Sequence, residues 1–251
     1  REYVAGDDPR YVDWKVWAKQ DRLYVKQFEE DTNLRCTMLV DVSASMRYGT
    51  GPLSKYEYGA TLAASLAYLI LRQQDAVGCV AFDDRARSVV PQRTRRNHLD
   101  SILRSLDVSA PKGKTDVYPI LHKVAETYPA RGMMVLVSDL LVPREPLFRG
   151  LQLLRNRGHD IMIFHVMDDD ELDFPFEGVT RFEGLEGDGE LSCNPRALRR
   201  GYLAALGEYL EEVRRGCVRL GTDYSLLRTS RPLDAALAAY LSNRLGMHHR
   251  N

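Results

Sequence analysis

The sequence predicts an α/β fold in which a doubly wound, mostly parallel sheet has one antiparallel edge strand and helices on both faces. Short apolar runs of strand length alternate with longer segments of helical character, and this rhythm is typical of parallel strands connected through helices. Two of the runs end near an aspartate, Asp41 and Asp139, as expected where a buried strand emerges at the sheet edge. The turn Asp83-Asp84 is short enough to join two neighbouring runs as an antiparallel hairpin.

Each predicted strand is an apolar, partly β-branched run, and the five are Cys36 to Val40, Ala76 to Phe82, Ala86 to Val90, Met133 to Val137 and Asp160 to Val166. Most predicted helices begin at a capping signal or end before a glycine or another break. They run from Ser54, which forms a capping box with Glu57, to Arg72, from Asn97 to about Leu106, from about Asp116 to Tyr128, from Leu147 to Asn156, from Asn194 to before Gly216, and from Pro232 to about Leu245.

The chain divides by composition into an N-terminal extension, residues 1–34, and one large domain, residues 35–251. The extension carries Trp14 and Trp17 among alternating charges, and we expect it to pack on the domain. Within the domain, residues from about 168 to 193 are acidic and glycine-rich, and Asp188-Gly189 favours a hairpin turn. We interpret this segment as a solvated hairpin insertion, with a dedicated cation or partner site as the alternative.

Charge and hydropathy exclude several function classes. The 251 residues include 35 basic and 35 acidic side chains, so net charge gives no support for binding nucleic acid or an anionic membrane. No apolar stretch is long enough to span a bilayer and no secretion signal opens the chain, which leads us to expect a cytoplasmic protein without membrane association. The four cysteines lack metal-site spacing, and we expect them to be reduced.

Distinctive polar residues follow three of the predicted elements, at loops that meet outside the carboxyl ends of a doubly wound sheet. They are Asp41-Val42-Ser43-Ala44-Ser45, Gly113-Lys114-Thr115-Asp116 and Ser138-Asp139. Carboxylate and hydroxyl oxygens suit Mg²⁺ or Mn²⁺ far better than zinc or copper. The sequence therefore predicts one divalent metal site formed by Asp41, Ser43, Ser45, Thr115 and Asp139.

Such a site has a simple electrostatic consequence. If one carboxylate binds directly and the other ligands are neutral hydroxyls, the ion keeps positive charge and an open position that attract an external carboxylate. We expect Lys114 and Met46 to lie at the rim that contacts a partner. The simpler alternative is that Asp41, Ser43 and Ser45 make loop hydrogen bonds and that Thr115 caps the following helix.

The sequence contains Asp-x-Ser-x-Ser, then Gly-x-Thr, and then a strand-terminal Asp. This order of motifs resembles the metal-ion-dependent adhesion site of von Willebrand factor A domains. The resemblance implies that Asp41, Ser43, Ser45 and Thr115 approach the metal and that Asp139 acts through water. Lys114 stands where many such domains have glycine, and the resemblance implies an altered ligand preference at the rim.

A narrower resemblance covers nearly the whole chain. Motifs at both ends are similar to the prokaryotic domain-of-unknown-function family numbered 58: Arg1-Glu2-Tyr3, Gly6-Asp7-Asp8-Pro9-Arg10, Asp13-Trp14, Asp41 to Met46, Thr229-Ser230, Tyr240-Leu241 and Arg244. Members of that family are commonly encoded beside MoxR-type AAA+ ATPases. The resemblance implies a role with such an ATPase, or with its client protein, in protein assembly or maturation.

Three functional hypotheses follow. The first is a non-enzymatic, metal-dependent protein-binding module whose site is completed by an acidic residue of the partner. The second is a metal-dependent hydrolase or phosphatase using the same residues, although Ser43 stands where a phosphatase would carry its second acid and no histidine adjoins the five positions. The third is a scaffold whose metal is incidental. No Gly-x-x-x-x-Gly-Lys-Ser/Thr motif occurs, so the chain is not expected to be the ATPase itself.

Overall fold

The computed structural model describes residues 34–107, 115–185, 189–234 and 237–238, together with residues 4, 12, 16–17 and 22–25 nearer the N-terminus. Contacts divide the chain into two units, Arg1–Asn33 and Leu34–Asn251. In the first unit Val12 and Val25 form an isolated antiparallel bridge. Trp14 lies outside the described residues, and the packing of the extension on the domain stays a prediction.

The second unit contains a six-stranded sheet in the order β3-β2-β1-β4-β5-β8. Its strands are β1 (Arg35–Asp41), β2 (Ala76–Phe82), β3 (Ala86–Arg93), β4 (Met133–Ser138), β5 (Asp160–Met167) and β8 (Asp223–Arg228). All neighbouring strands run parallel except β2 and β3, which form the predicted antiparallel hairpin. The predicted α/β class is therefore confirmed. The edge strand β8 was not predicted, because its half-buried, mixed sequence lacks an apolar run.

Six helices are described in this unit. They are α1 (Lys55–Arg72), α2 (His98–Leu106), α3 (Val117–Thr127), α4 (Arg144–Asn156), α5 (Asp169–Asp173) and α6 (Pro195–Arg219). Apolar residues of α1 and α2 pack with one face of the sheet, and those of α3, α4 and α6 pack with the other. No helix among these described residues is both long and apolar enough to cross a bilayer.

The predicted end of the helix that follows Asn194 is wrong. Helix α6 continues through Gly216, because this glycine serves close packing: a Cβ atom there would lie 2.2 Å from the ring of Phe148 on α4. The chain turns later, at Gly221, whose φ of +62° suits glycine. Two smaller corrections concern helix starts, since α4 begins at Arg144 and the Asn97 side chain makes no capping hydrogen bond.

The acidic segment contains more regular structure than predicted. The short helix α5 comes first, followed by a hairpin of β6 (Thr180–Glu183) and β7 (Glu190–Cys193). The expected turn residue Asp188 lies outside the described residues, as does most of the predicted last helix beyond Pro232.

The sheet topology locates a ligand crevice. From β1 the chain first places β2 on one side and later places β4 on the other, so the strand order reverses between β1 and β4. Ligands of doubly wound sheets bind outside the carboxyl ends of the strands at such a switch point. Val40 pairs with Val137 in the register of the two strands, which puts Asp41 beside Ser138 at that edge.

Candidate metal centre

Asp41 is the central carboxylate of the cluster at this edge. It ends β1 and is fully buried. Its Oδ1 accepts a hydrogen bond of 2.9 Å from the backbone N–H of Ser43, and its Oδ2 accepts one of 2.6 Å from the Ser138 hydroxyl. No cationic side chain among the described residues forms an ion pair with Asp41, so its negative charge is balanced there only by dipoles.

Ser43 and Ser45 lie in the turn that follows β1. Both are buried, and their Oγ atoms are 3.1 Å apart. The turn is anchored to the sheet because the N–H of Val42 donates to the carbonyl oxygen of Phe82 on β2. A single turn of 3-10 helix, Ser45–Arg47, then leads the chain away. This local structure brings two neutral hydroxyls together in the turn directly after Asp41.

Thr115 comes from a distant loop, before α3, and reaches the same carboxylate. Its Oγ1 lies 3.5 Å from Oδ2 of Asp41, at the long limit of a hydrogen bond. Asp116, not Thr115, occupies the N-cap position of α3, and its side chain makes no capping hydrogen bond. The N–H of Asp116 donates to the carbonyl oxygen of Asp83. Three loops distant in sequence therefore meet at Asp41, as the motif predicted. Lys114 lies outside the described residues.

Asp139 lies at the same edge, immediately after β4, and its carboxylate contacts other groups. Its Oδ2 accepts a 2.7 Å hydrogen bond from Lys55 Nζ, and its Oδ1 accepts a 3.3 Å bond from the N–H of Leu141. Lys55 Nζ also lies 2.6 Å from Oε1 of Glu171 on α5. Lys55 and Asp139 are both buried, so the cluster contains a lysine ammonium between two carboxylates.

Ser138, Lys55 and Glu171 were not predicted as site residues. Ser138 could have been found, because it precedes Asp139 at the strand end and its side chain alternates toward Asp41. Nothing in the local sequence marks Lys55, which is the first residue of α1 and resembles the solvated lysines of many helix starts. Its partners are 84 and 116 residues away in the chain, beyond any motif spacing.

The predicted position of Met46 at the rim is wrong. The Met46 side chain is fully buried in the core on the α1 face of the sheet. It packs against the backbone of Gly59, where a Cβ atom would lie 3.6 Å from the Met46 methyl group. Met46 is the middle residue of the 3-10 turn, and its apolar side chain packs in the core beside residues of α1, so it does not face a partner.

The electrostatics of the cluster follow from burial and close charges. Burial, together with the nearby Asp139 carboxylate, raises the pKa of Asp41 to about 7, although hydrogen bonds from Ser138 and Ser43 oppose the increase. Burial by itself would lower the pKa of Lys55, but Asp139 and Glu171 raise it above its usual value, so the ammonium is charged. Burial also raises the pKa of Glu171, against the attraction of Lys55.

The donors fit a hard cation. One carboxylate and three hydroxyls converge at Asp41, Ser43, Ser45 and Thr115, and oxygen ligands of this kind suit Mg²⁺ or Mn²⁺. Among the described residues no group of three or more His, Cys, Asp or Glu side chains is arranged to hold an ion. A bound cation would favour the ionised form of the Asp41 carboxyl, whose pKa burial otherwise raises to about 7.

Comparisons with known proteins agree with this architecture. The chain is 29% identical over 249 residues to Uncharacterized protein Rv1480 of Mycobacterium tuberculosis, covering 97% of this chain and 78% of that protein. The crystal structure of BatB from Bacteroides thetaiotaomicron superposes with a TM-score of 0.57 at 16% identity, over 87% of this chain and 100% of that one. An aerotolerance-related membrane protein from Bacteroides fragilis gives a TM-score of 0.56 at 15% identity, over 83% and 97% of the two chains.

At these identities the two solved structures are similar to this chain in fold. The family described as "Protein of unknown function DUF58" matches residues 1–210, which is most of the chain and includes every predicted metal ligand. The chain belongs to this family, and its domain has a doubly wound α/β fold.

Proposed function

We propose that the chain is a metal-dependent protein-binding module and not an enzyme. Asp41, Ser43, Ser45 and Thr115 would hold a Mg²⁺ or Mn²⁺ ion, and the ion would supply a positive charge with an open position for an acidic residue of a partner. The observation that carries the proposal is the buried Asp41 carboxylate, which is surrounded by hydroxyl oxygens and has no ion-pair partner among the described residues. Such a charge is costly to bury unless a cation balances it.

The proposed partner is a MoxR-type AAA+ ATPase or its client protein, as the family resemblance implies. Charge supports an acidic contact, because one direct carboxylate ligand leaves a divalent ion with positive charge. The hydrolase alternative needs a free general base near the ion. The nearest candidate, Asp139, already accepts hydrogen bonds from Lys55 and from the N–H of Leu141, and this supports binding over catalysis.

Replacing Asp41 tests the proposal. We expect Asp41→Asn to weaken Mn²⁺ binding by more than the roughly 10- to 100-fold that outer-shell changes cost, because the direct carboxylate ligand is lost. The same variant should fail to bind a MoxR-type ATPase or client protein from the same genome in magnesium. Calorimetric titration measures the first effect, and a pull-down between purified proteins, with magnesium and with chelator, measures the second.

Asp84→Asn is the matched control. Asp84 is an exposed carboxylate just beyond the end of β2, paired with Arg87 and not in contact with the cluster. Its loss should change neither measurement. Partner binding that is equally strong for Asp41→Asn, or in chelator, would contradict the proposal. Metal-dependent turnover of phosphate or ester substrates that Asp41→Asn abolishes would favour the hydrolase instead.

A further inference from the structure

Lys55 is the least expected feature of the cluster. It is the first residue of α1 and fully buried, and its ammonium lies 2.7 Å from Asp139 Oδ2 and 2.6 Å from Glu171 Oε1. Lysine is rarely fully buried unless it is paired. Two short contacts to buried or mostly buried carboxylates satisfy that condition, so the ammonium has a defined position and not a range of rotamers.

Both ends of this contact are fixed by local structure. The capping box of Ser54 and Glu57 sets the first turn of α1, and the N–H of Lys55 donates to the carbonyl oxygen of Tyr48 at 2.8 Å. On the other side, Glu171 belongs to the capping box of α5, where its Oε2 accepts a 2.9 Å bond from the N–H of Asp168. With one oxygen held by the backbone, Glu171 presents the other to Lys55.

The two carboxylates at the sheet edge therefore have different environments. Asp139 contacts an ammonium and the N–H of Leu141, and neither of these groups could itself bind a cation. Asp41 contacts the hydroxyls of Ser138 and Thr115 beside one N–H, and hydroxyl oxygens remain able to bind a cation. A cation at the cluster would thus meet one carboxylate that is available and one that already has a counter-ion.

We propose that Lys55 is a positioning residue that holds the Asp139 carboxylate away from the metal ion, so that of these two carboxylates only Asp41 binds the ion directly. This inference rests on the proposed function. The role of Lys55 explains how the bound ion keeps positive charge for a partner although Asp41 and Asp139 both lie beside it. Lys55 already pairs with Asp139, so only the Asp41 charge acts directly on the ion. Without Lys55, Asp139 would turn to the divalent ion, which would then have less charge left for an external carboxylate.

The double substitution Lys55→Met with Glu171→Gln tests this role at constant charge. The native group of Asp139, Lys55 and Glu171 carries a net charge of about −1, and the double variant keeps that net charge in Asp139 alone. We expect the variant to bind Mn²⁺ on the order of tenfold more tightly, the scale on which outer-shell changes alter metal affinity. Water proton relaxation should show one fewer water molecule on bound Mn²⁺, because the Asp139 carboxylate takes its place.

Asp139→Asn supplies the internal control. In the otherwise native chain it should weaken Mn²⁺ binding less than Asp41→Asn does, within the roughly 10- to 100-fold range of outer-shell changes. In the double variant it should remove the gained affinity and restore the lost water. A double variant with native Mn²⁺ affinity and hydration would overturn the role of Lys55. If circular dichroism shows that the double variant does not fold, the two single substitutions in the otherwise native chain decide. A loss of Mn²⁺ affinity with Asp139→Asn as large as with Asp41→Asn overturns the inference, and a smaller loss supports it.

Failure of this inference is distinguishable from failure of the proposed function. If the native chain does not bind Mn²⁺ at all, both are wrong, because no ion is available for Lys55 to act on. If the native chain binds Mn²⁺ through Asp41 and the double variant is unchanged, the proposed function stands and the role of Lys55 is wrong. Conversely, tighter metal binding with weaker capture of an acidic partner by the double variant supports both.

Discussion

At the scale of single residues, His165 shows how burial near the site makes stability depend on pH. It lies on β5, fully buried, and its Nδ1 is 2.8 Å from the hydroxyl of Tyr224 on β8. Burial lowers the pKa of His165 to about 4, against an opposing effect of the Asp139 charge. The folded protein therefore keeps this imidazole neutral where an unfolded chain, with a pKa of 6.5, would protonate it.

The sign of the effect follows by linkage. Between pH 6.5 and about 4 the unfolded state binds more protons at His165, so the free energy of unfolding falls as the pH falls through that window. The loss amounts to up to about 3 kcal/mol. We expect His165→Gln to flatten this slope in urea unfolding measured from pH 7 to 4. The exposed His122 offers a control, His122→Gln, which should keep the native slope, and an unchanged slope in His165→Gln would contradict the assignment.

The residues of the cluster also show which side chains a sequence can reveal. Asp41, Ser43 and Ser45 form a local pattern whose spacing follows from one turn, so they could be predicted together. The prediction that Thr115 joins these residues required a further assumption, which is that parallel strands bring their carboxyl ends to one edge of the sheet. Lys55 could not be predicted, because its burial depends on where α1 begins relative to β4 and α5, which is a property of packing and not of the local sequence.

At the scale of elements, a buried aspartate joins the loop before α1 to two strand ends. Asp168 follows β5, and its carboxylate accepts bonds from the hydroxyl of Thr50 at 2.7 Å, the N–H of Thr50 at 3.2 Å, the hydroxyl of Thr229 at 2.7 Å and the N–H of Asp170 at 3.1 Å. Thr50 belongs to the loop between Ser45 and α1, and Thr229 follows β8. Burial would raise the pKa of Asp168, but these hydrogen bonds together lower it, so the group is an ionised acceptor.

An amide cannot replace this carboxylate. Each oxygen of Asp168 faces a backbone N–H, from Thr50 or from Asp170, so the NH₂ group of Asn would oppose a donor in either orientation. We expect Asp168→Asn to lower the free energy of unfolding by about 2 kcal/mol and to speed hydrogen exchange at the Thr50 amide.

The neighbouring Asp169→Asn is the control for that substitution. It removes only a partly exposed ion pair with Arg228 and should cost less than about 1 kcal/mol. Equal effects of the two substitutions in urea unfolding, or unchanged Thr50 exchange in Asp168→Asn, would show that Asp168 does not tether the loop.

Helices and strands could be predicted where the local sequence determines them, and could not where distant contacts do. The strands β1, β2, β4 and β5 are almost wholly buried and each contains an apolar run, so their sequences identify them. Strand β8 is half-buried at the edge beside β5, and α5 is a single acidic turn, so neither has a pattern that differs from a loop. The continuation of α6 past Gly216 depends on the Phe148 ring of another helix and could not be read from the glycine alone.

At the scale of the whole molecule, the described residues of the domain form two apolar cores that do not include the proposed metal ligands. One lies between the sheet and α1 and α2, and the other lies between the sheet and α3, α4 and α6. The proposed metal ligands lie at one end of the sheet, where β1 and β4 end, and the hydrogen bonds between the strands already hold that edge together. Burial of apolar surface, and not metal binding, should therefore supply most of the folding free energy.

This arrangement predicts a modest effect of metal on unfolding. Magnesium at ten times its dissociation constant should add about 1.4 kcal/mol to the free energy of unfolding. For a chain of this size that shifts the melting temperature by about 3 to 6 °C. Differential scanning calorimetry with magnesium and with chelator measures the shift, which Asp41→Asn should abolish, because it removes the charged ligand, while Asp84→Asn should retain it. Unfolding of the native chain at room temperature in chelator would instead make the ion a structural element, since a site used for recognition leaves the metal-free domain folded.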